Sequence, residues 1–329
     1  MHQLALAFFG LLLLSSLFAN QEFAYSDSAN GSVAVGLHPR GLAVNPDTNK
    51  IYVTNYESAS VSVIDGNTNT LVANITVGVF PAQVAVNPTN DKVYVIHRGA
   101  PGSIVSVIDG ETNTIIETIE IGFDAIGLAV NANTDKIYVS YSNSTGSLIF
   151  VIDGSLNEIV DTLSFSSGLI AVNPATNRLY TLSGKQINAI DGETNTIIET
   201  NEIGDHRAIH LVVNPNTNMI YVLNSDSPTP DIGGLAIPMG SLFVIDGSMD
   251  RIIANFTVGL SPAGMAINPD TNTLYVTLSH ARSVLVIDGN TNKVVDEIKI
   301  TNSPMEIAVN SKTNIVYVVN ELSNSITVI

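Results

Sequence analysis

Three features that are absent or scarce in this sequence of 329 residues restrict the class of protein it can encode. There is no cysteine, so disulfides, thiolate metal sites and cysteine nucleophiles are excluded, and packing and chain closure must hold the fold. Basic residues are few: 13 Lys and Arg stand against 30 Asp and Glu, which gives a formal net charge of −17. Because binding to nucleic acid or to anionic lipid needs a basic surface, we expect neither partner.

The third absence is a hydrophobic run long enough to span a bilayer. Residues 4–14 are apolar, but a transmembrane helix needs about 20 such residues. Small and polar residues follow the run, as in a secretory signal peptide, although no Lys or Arg precedes it. We expect a signal peptide at residues 1–25, with an uncleaved anchor as the alternative, and one domain at residues 26–329. The protein is then extracytoplasmic (secreted or on the cell surface), without stable membrane insertion after signal cleavage.

A repeat dominates the remaining sequence. An asparagine ends an AVNP-like segment seven times, at spacings of 42, 44, 42, 41, 54 and 42 residues: Asn45, Asn87, Asn131, Asn173, Asn214, Asn268 and Asn310. A tyrosine lies seven residues after each of these anchor asparagines: Tyr52, Tyr94, Tyr138, Tyr180, Tyr221, Tyr275 and Tyr317. The tyrosines predict packing between repeats. Six IDG segments recur as well, and their aspartates predict turns rather than catalysis: Asp65, Asp109, Asp153, Asp191, Asp246 and Asp288.

Each repeat contains four short β-type segments, which in the first repeat are LAVN (42–45), KIYVTN (50–55), SVSVID (60–65) and LVANITV (71–77). NPDTN predicts a turn between the first two segments, and the Asp-Gly of DGNTN predicts a hairpin between the last two. A period of 40–45 residues with four strands is typical of a β-propeller. The sequence therefore predicts an all-β, seven-bladed β-propeller with four antiparallel strands per blade.

The seventh repeat shows only three of the four segments before residue 329. The matching fourth segment stands near the other end of the sequence, where GSVAVGLHP (31–39) parallels NITVGVFP (74–81). We predict that a strand at about residues 32–35 pairs with the C-terminal blade (308–329) and closes the ring.

The tetrapeptide Tyr52-Val53-Thr54-Asn55, with the recurring NPxTNxxYV and VIDGxTN motifs, resembles the repeats of YVTN-family β-propellers, which look like those of archaeal surface-layer proteins. This WD40/YVTN-like resemblance covers roughly residues 30–329. Later repeats keep the spacing but not the letters, as in the YVIH segment at residues 94–97. The resemblance implies a seven-bladed, extracytoplasmic propeller and says little about activity. Related propellers include lactonase-like enzymes, so catalysis stays open.

Loop lengths divide the expected ring into two ends. The connection between the second and third strands varies in length: from three residues after the repeat tyrosine to the IDG aspartate, the gaps are 10, 12, 12, 8, 22 and 10 residues. The spacing from anchor asparagine to tyrosine, by contrast, never changes. We call the end with the second-to-third strand loops and the blade-to-blade connections the variable face. The end with the NPxTN and DGxTN turns is the uniform face. Five histidines and four of the six arginines map to the variable face.

The residue four positions before each anchor asparagine is expected at the mouth of the central channel, and Gln83, His210 and Glu306 occupy this position in three repeats. Together with the clustered His and Arg side chains they predict a site for a protein or a small anionic ligand, and solvated polar loops are the alternative. His206 and His210 have the spacing of two metal ligands on a helix, but they lead into a strand, so no metal and no cofactor is predicted. The ligand-binding candidates are His38, Arg40, Gln83, His97, Arg98, His206, Arg207, His210, His280, Arg282 and Glu306.

Two further features fall outside this cluster. The long fifth-repeat loop (225–241) predicts a lid or a partner-docking loop through Asp226, Asp231, Ile232, Leu235, Ile237 and Met239, and a drifted insertion that packs on its own ring is the alternative. Four N-x-S/T sequons give candidate glycosylation sites at Asn30, Asn74, Asn143 and Asn255.

These features favour a binding or interaction scaffold that is not an enzyme and that acts through the variable face. The second hypothesis is a lactonase- or lyase-type enzyme, with His206 or His210 as acid or base and Arg40 or Arg207 holding an anionic substrate. The third is a structural component of a surface array.

Overall fold

The structure is a computed structural model that describes residues 31–99, 102–122, 125–143, 146–164, 168–203, 207–225, 229–230 and 236–329. Its strands form seven four-stranded antiparallel sheets, and the first strand of each sheet contacts the first strand of the next sheet around a closed ring. The predicted seven-bladed propeller is therefore confirmed. In the described ranges the only helix is a 3₁₀ turn, Glu321–Ser323, and none is long and apolar enough to cross a membrane.

The strands of blades one to three follow one another in sequence. Blade one contains β2 (Pro39–Asn45), β3 (Lys50–Asn55), β4 (Ser60–Asp65) and β5 (Thr70–Thr76). Blade two contains β6 (Pro81–Asn87), β7 (Lys92–His97), β8 (Ile104–Asp109) and β9 (Thr114–Glu120). Blade three contains β10 (Ala125–Asn131), β11 (Lys136–Asn143), β12 (Gly146–Asp153) and β13 (Glu158–Leu163).

Blades four to six keep this order. Blade four contains β14 (Ile170–Asn173), β15 (Arg178–Ser183), β16 (Gln186–Asp191) and β17 (Ile197–Glu202). Blade five contains β18 (Ala208–Asn214), β19 (Met219–Ser225), β22 (Met239–Asp246) and β23 (Arg251–Leu260), with a separate ladder of β20 (Thr229–Pro230) and β21 (Ala236–Ile237) in its long loop. Blade six contains β24 (Pro262–Asn268), β25 (Thr273–Leu278), β26 (Ser283–Asp288) and β27 (Lys293–Lys299).

Blade seven joins the two ends of the described chain. It consists of β28 (Ile307–Asn310), β29 (Ile315–Asn320), β30 (Ser325–Val328) and, as its outer strand, β1 (Gly31–Ala34). Val33 pairs with Ile326 and is buried in the core between blades seven and one. The predicted ring closure is confirmed, with the strand one residue earlier than expected.

The apolar core is divided among the interfaces between blades. Seven clusters of buried side chains are present, and each contains the repeat tyrosine of one blade with aliphatic side chains of the next. Tyr317 of blade seven, for example, packs with Leu42 and Ile51 of blade one. The middle strands are therefore covered on both faces, which explains their almost unbroken apolar sequence. The prediction that these tyrosines pack between blades is correct.

A closed belt of side-chain hydrogen bonds runs around the uniform face. Each buried anchor asparagine donates from Nδ2 to the turn residue, Asn or Asp, four positions after the anchor of the next blade, over 2.5–2.8 Å. The last bond, from Asn310 to Asn49, crosses the ring closure. The same anchors accept backbone N–H bonds from their own turns, as Asn45 Oδ1 does from Asp47 N at 2.9 Å. One buried amide thus shapes a turn and ties two blades.

The DGxTN hairpins differ from the expectation in one respect. The left-handed residue is the last Asn or Asp of the turn, such as Asn69 with φ +53°, and not the glycine after the aspartate. Gly66 is required for a different reason, because a Cβ there would lie 2.4 Å from the side-chain oxygen of Asn49 in the neighbouring turn. The aspartates form turns as predicted: Asp65 Oδ1, for example, accepts a bond from Asn67 N at 2.7 Å.

Candidate functional site

The channel opens at the variable face into a cavity of about 370 Å³. Its wall comes from the inner strands and their leading residues in all seven blades. Side chains at the position four residues before the anchor asparagine line it in four blades, namely Gln83, Leu169, His210 and Glu306. The structure therefore brings Gln83, His210 and Glu306 into one cavity, and their role in binding stays a prediction.

Blades one, three and six have glycine at this position. The glycine is explained by a Thr or Ser thirteen residues later in the same blade. The pairs are Gly41 with Thr54, Gly127 with Ser140, and Gly264 with Thr277. Thr54 Oγ1 accepts from Gly41 N at 2.7 Å and donates to Ala82 O of the next blade at 3.0 Å. A Cβ on Gly41 would lie 2.5 Å from that carbonyl. In the four other blades, the residue thirteen positions after this channel position is aliphatic. A large side chain therefore enters the channel only where the hydroxyl bridge is missing.

The repeat also places a histidine and a carboxylate in contact. His210 Nε2 and Glu306 Oε2 are 3.1 Å apart, between blades five and seven. Burial of the imidazole disfavours its charged form, but the Glu306 charge and the hydrogen bond outweigh this and raise the pKa of His210. The pair is therefore an ion pair over a wider pH range than an ordinary histidine would allow.

Gln83 and Arg98 occupy the blade-two side of the cavity. The Arg98 guanidinium donates to Ala125 O and Ile126 O, each at 3.1 Å, so it holds the first strand of blade three. Gln83 makes no side-chain hydrogen bond within the described part of the chain. Its amide is the polar group of the wall most available to a ligand.

A second cavity, of about 360 Å³, shares Gln83, Arg98 and Glu306 with the first and extends the mouth toward blades seven and one. Arg40 and Glu321 line this extension, with Arg40 Nε 3.4 Å from Glu321 Oε1. The Arg40 guanidinium also lies over the Tyr56 ring, 4.1 Å from its centre. The two cavities thus form one open mouth with a cationic and aromatic edge.

An aromatic cluster stands beside this mouth. Tyr56 and Phe80 are stacked with ring centres 5.0 Å apart, and His38 meets Tyr56 edge-on at 6.0 Å. His38 and Phe80 precede prolines and have φ of +56° and +55°, a conformation that bulky residues rarely adopt. His38 also contacts Glu57 (3.1 Å) and Glu321 (2.5 Å). This cluster was not predicted as a unit, although the repeated G-x-x-P segments mark its positions.

His97, predicted as a ligand-binding candidate, is the last residue of β7 and lines neither cavity. It is buried inside blade two, where Nδ1 is 3.0 Å from Val79 O and Nε2 is 3.0 Å from Ser106 Oγ. Burial lowers its pKa, although hydrogen bonds to backbone carbonyls act in the opposite direction. The ring fills the position that Asn55 holds in blade one, where Asn55 Nδ2 donates to Ser62 Oγ at 2.9 Å. Alignment of the repeats already shows this equivalence.

Of the other candidates, the described ones do not line the mouth. Arg207, His280 and Arg282 are exposed on variable-face connections and loops. His206 lies outside the described residues, as do Asp226, Asp231, Ile232 and Leu235 of the long loop. Met239 is exposed, and Ile237 lies in β21. Among the described residues, no three His, Asp or Glu side chains are grouped so that they could hold a metal ion.

The candidate glycosylation sites fall in different parts of the ring. Asn74 and Asn255 are exposed on the outer strands β5 and β23. Asn143 ends β11 at the variable face. Asn30 lies outside the described residues.

Fold and mouth together define a seven-bladed β-propeller with an open, polar channel entrance on one face. No family model and no curated protein matches the sequence. Among solved structures, the chain is similar to the hydrazine synthase of Kuenenia stuttgartiensis (TM-score 0.80, 19% identity, 94% of this chain and 98% of that one). It is also similar to the β-propeller domain of Myceliophteria thermophila Cps50 (Swd1) (TM-score 0.75, 11% identity, 92% and 99% of the two chains). These likenesses show the propeller fold, and membership of the YVTN family stays a prediction from the repeats.

Proposed function

We propose that this chain is an extracytoplasmic interaction scaffold that binds a partner protein through the channel mouth on the variable face. The propeller fold suits an interaction scaffold in general. One observation carries the finer statement: the two joined cavities open beside Tyr56, Phe80 and Arg40, a combination of stacked aromatics and arginine. Residues of these types dominate the binding energy of protein interfaces.

The charge distribution supports the variable face as the binding surface. Six of the 13 Lys and Arg residues lie on variable-face loops, connections or strand ends: Arg40, Arg98, Lys185, Arg207, Arg282 and Lys299. The uniform face and the outer strands carry most of the carboxylates. An acidic partner is therefore repelled least at the variable face. A small anionic ligand fits less well, since Arg98 already holds two carbonyls.

Location outside the cytoplasm is supported by the apolar, signal-like run at residues 4–14 and by the resemblance to surface-layer repeats. Peptide mapping of the protein from its own cells tests this part, because a mature N-terminus within residues 20–27 indicates cleavage. An intact residue 1 in soluble cytoplasmic protein would contradict it.

Site-specific photo-crosslinking tests the binding face. A photo-reactive phenylalanine analogue replaces Phe80 at the mouth or, as the control, Leu156, which is 61% exposed on a uniform-face turn. We expect light-dependent adducts with a defined protein from position 80 and none from position 156. The crosslinked protein is then purified, and Arg40→Ala is expected to weaken its binding about tenfold, or about 1.4 kcal/mol. Adducts from position 156 alone would place the interface on the uniform face.

The His210–Glu306 pair favours one second candidate, a propeller enzyme that uses His210 as an acid. Its pKa is raised by the Glu306 charge and hydrogen bond, which favours the protonated imidazole and suits proton donation to a leaving group. Hydrolysis of a panel of lactones by the wild type and His210→Gln tests it. Equal rates, or rates no higher than without protein, would remove this candidate.

A further inference from the structure

The outer strands of blades one to six share an exposed aliphatic residue at a β-bulge. In each, one exposed aliphatic residue has no partner on the neighbouring strand: Val72, Ile116, Val160, Ile198, Ile253 and Val295. These side chains are 44–54% exposed. Each also lies on the open edge of a sheet, where unpaired backbone groups can recruit strands of other chains. Such edges need polar protection.

Carboxylates supply this protection on only four of the seven outer strands. β9, β13, β17 and β27 each contain two of them: Glu117 and Glu120, Glu158 and Asp161, Glu199 and Glu202, and Asp296 and Glu297. The outer strands β1, β5 and β23 contain none.

Sequons occur on the strands that lack carboxylates and on none of the others. Asn74-Ile75-Thr76 lies within β5, and Asn255-Phe256-Thr257 lies within β23. Asn30-Gly31-Ser32 overlaps the start of β1, although its asparagine lies outside the described residues. The fourth sequon, at Asn143, is on a middle strand of blade three. This division between carboxylates and sequons argues that glycans protect the outer edges of blades one and five, as carboxylates protect those of blades two, three, four and six.

The local geometry at the two described sites suits modification. Asn74 and Thr76 are exposed while Ile75 between them is buried, because alternate residues of a strand point to opposite faces. Asn255 and Thr257 are likewise exposed. Neither asparagine side chain makes a hydrogen bond within the described ranges. Val72 and Ile253 lie two residues before them, within reach of a bulky polar group on the asparagine.

We infer that Asn74 and Asn255 are N-glycosylation sites whose glycans cover the apolar outer edges of blades one and five. In the transfer, Asn Nδ2 bonds to the anomeric carbon of a polyprenyl-diphosphate-linked oligosaccharide. The bond from that carbon to the phosphate oxygen breaks, the amide loses one proton, and the polyprenyl diphosphate leaves. The inference rests on the proposed extracytoplasmic location, since the lipid-linked donor is used there, but not on which face binds a partner.

Mass spectrometry of peptides from the protein purified from its own cells tests the sites. We expect the peptides with Asn74 and Asn255 to carry a glycan mass. A bare peptide at either position would overturn the assignment of that site. Mature protein with a cleaved signal but bare sites would refute the glycans and leave the proposed location intact.

Matched variants separate the sequon from the fold. Thr76→Ser keeps the sequon and should retain the glycan on Asn74, whereas Thr76→Ala should lose it, with Asn255 as the internal control in both. The double variant Asn74→Gln/Asn255→Gln should form larger particles in light scattering than the glycosylated protein at equal concentration. Equal particle sizes would contradict the shielding role.

Discussion

The uniform and variable faces are two ends of the same strands, yet they use the repeat in opposite ways. On the uniform face each anchor asparagine contacts the turn of the next blade, so all seven contacts must keep the same geometry for the belt to close. On the variable face contacts between blades also occur, such as that of Arg98 with Ala125 O and Ile126 O, but they are not repeated around the ring, and the loops differ in length and sequence. Repetition is therefore kept where each blade sets the position of the next.

A second difference appears within the uniform face itself. In blades one to four, a cation at the start of the second strand donates to the IDG glycine carbonyl of the following blade: Lys50, Lys92, Lys136 and Arg178. The next three blades have Met219, Thr273 and Ile315 at this position. The asparagine belt therefore closes the whole ring, whereas the cations reinforce only part of it.

Ring closure should give the largest effect. Deletion of residues 30–35 removes β1, exposes β30 as an edge and opens the core around Val33. We expect a loss of at least about 3 kcal/mol of unfolding free energy, from lost burial and ladder hydrogen bonds together. Thermal and urea unfolding measure it, with the exposed Ser32→Ala as the control. An unchanged melting temperature would show that β1 is dispensable.

The belt should respond unevenly to the same chemical change. Asn45→Asp places a carboxylate against that of Asp91, whereas Asn131→Asp faces the amide of Asn177, which can rotate and donate. We expect about 3 kcal/mol of destabilisation for the first variant and about 1 kcal/mol for the second at pH 7. Urea unfolding compares them. Equal losses would mean that the contact across the blades matters less than the turn that each asparagine shapes.

At the channel the expected effect is smaller. Gly41→Ala brings a Cβ to 2.5 Å from Ala82 O and should cost about 2 kcal/mol. Adding Thr54→Val removes the hydroxyl bridge and should recover part of this loss, because blades with a side chain at this position carry an aliphatic partner. Gly168→Ala is the control, since a Cβ there has its nearest neighbour at 3.6 Å. Strictly additive losses would contradict the link between bridge and glycine.

The fold was predictable from the sequence because its repeating residues have repeating contacts. Anchor asparagine, tyrosine and IDG aspartate recur at fixed spacing since each holds the same place in every blade, and the fourth-strand match at residues 31–39 identified the ring closure. The asparagine belt was not foreseen. Its partners are 45–58 residues apart within the ring and 261 apart at the closure, so they meet only once the blades are placed.

The mouth was predictable in part. Gln83, His210 and Glu306 share one repeat position, and a shared position on inner strands implies a shared channel. Arg98 comes from a loop and Arg40 from the first residues of β2, and the reach of both depends on side-chain conformation rather than on spacing. His97 was predicted as a ligand-binding candidate from its position next to a loop, and its equivalence to Asn55 accounts for its burial inside blade two.

Two histidines, one in the open mouth and one buried within a blade, should give the smallest effects. His210 has a raised pKa beside Glu306, so its stabilising contribution is complete below the ordinary pKa of about 6.5 and is lost as pH rises through the folded value. His97 has a pKa lowered by burial, so the unfolded chain takes up the proton first and stability falls as pH drops below about 6.5.

Urea unfolding between pH 5 and pH 8 separates the two histidines. The loss caused by His210→Gln should be greatest at low pH and shrink as pH rises. His97→Asn copies the asparagine that blades one, five and seven carry at this position. Its unfolding free energy should rise relative to that of the wild type as pH falls. Opposite slopes would show that one histidine responds to a carboxylate in an open mouth and the other to burial within a blade, whereas parallel slopes would place both in the same environment.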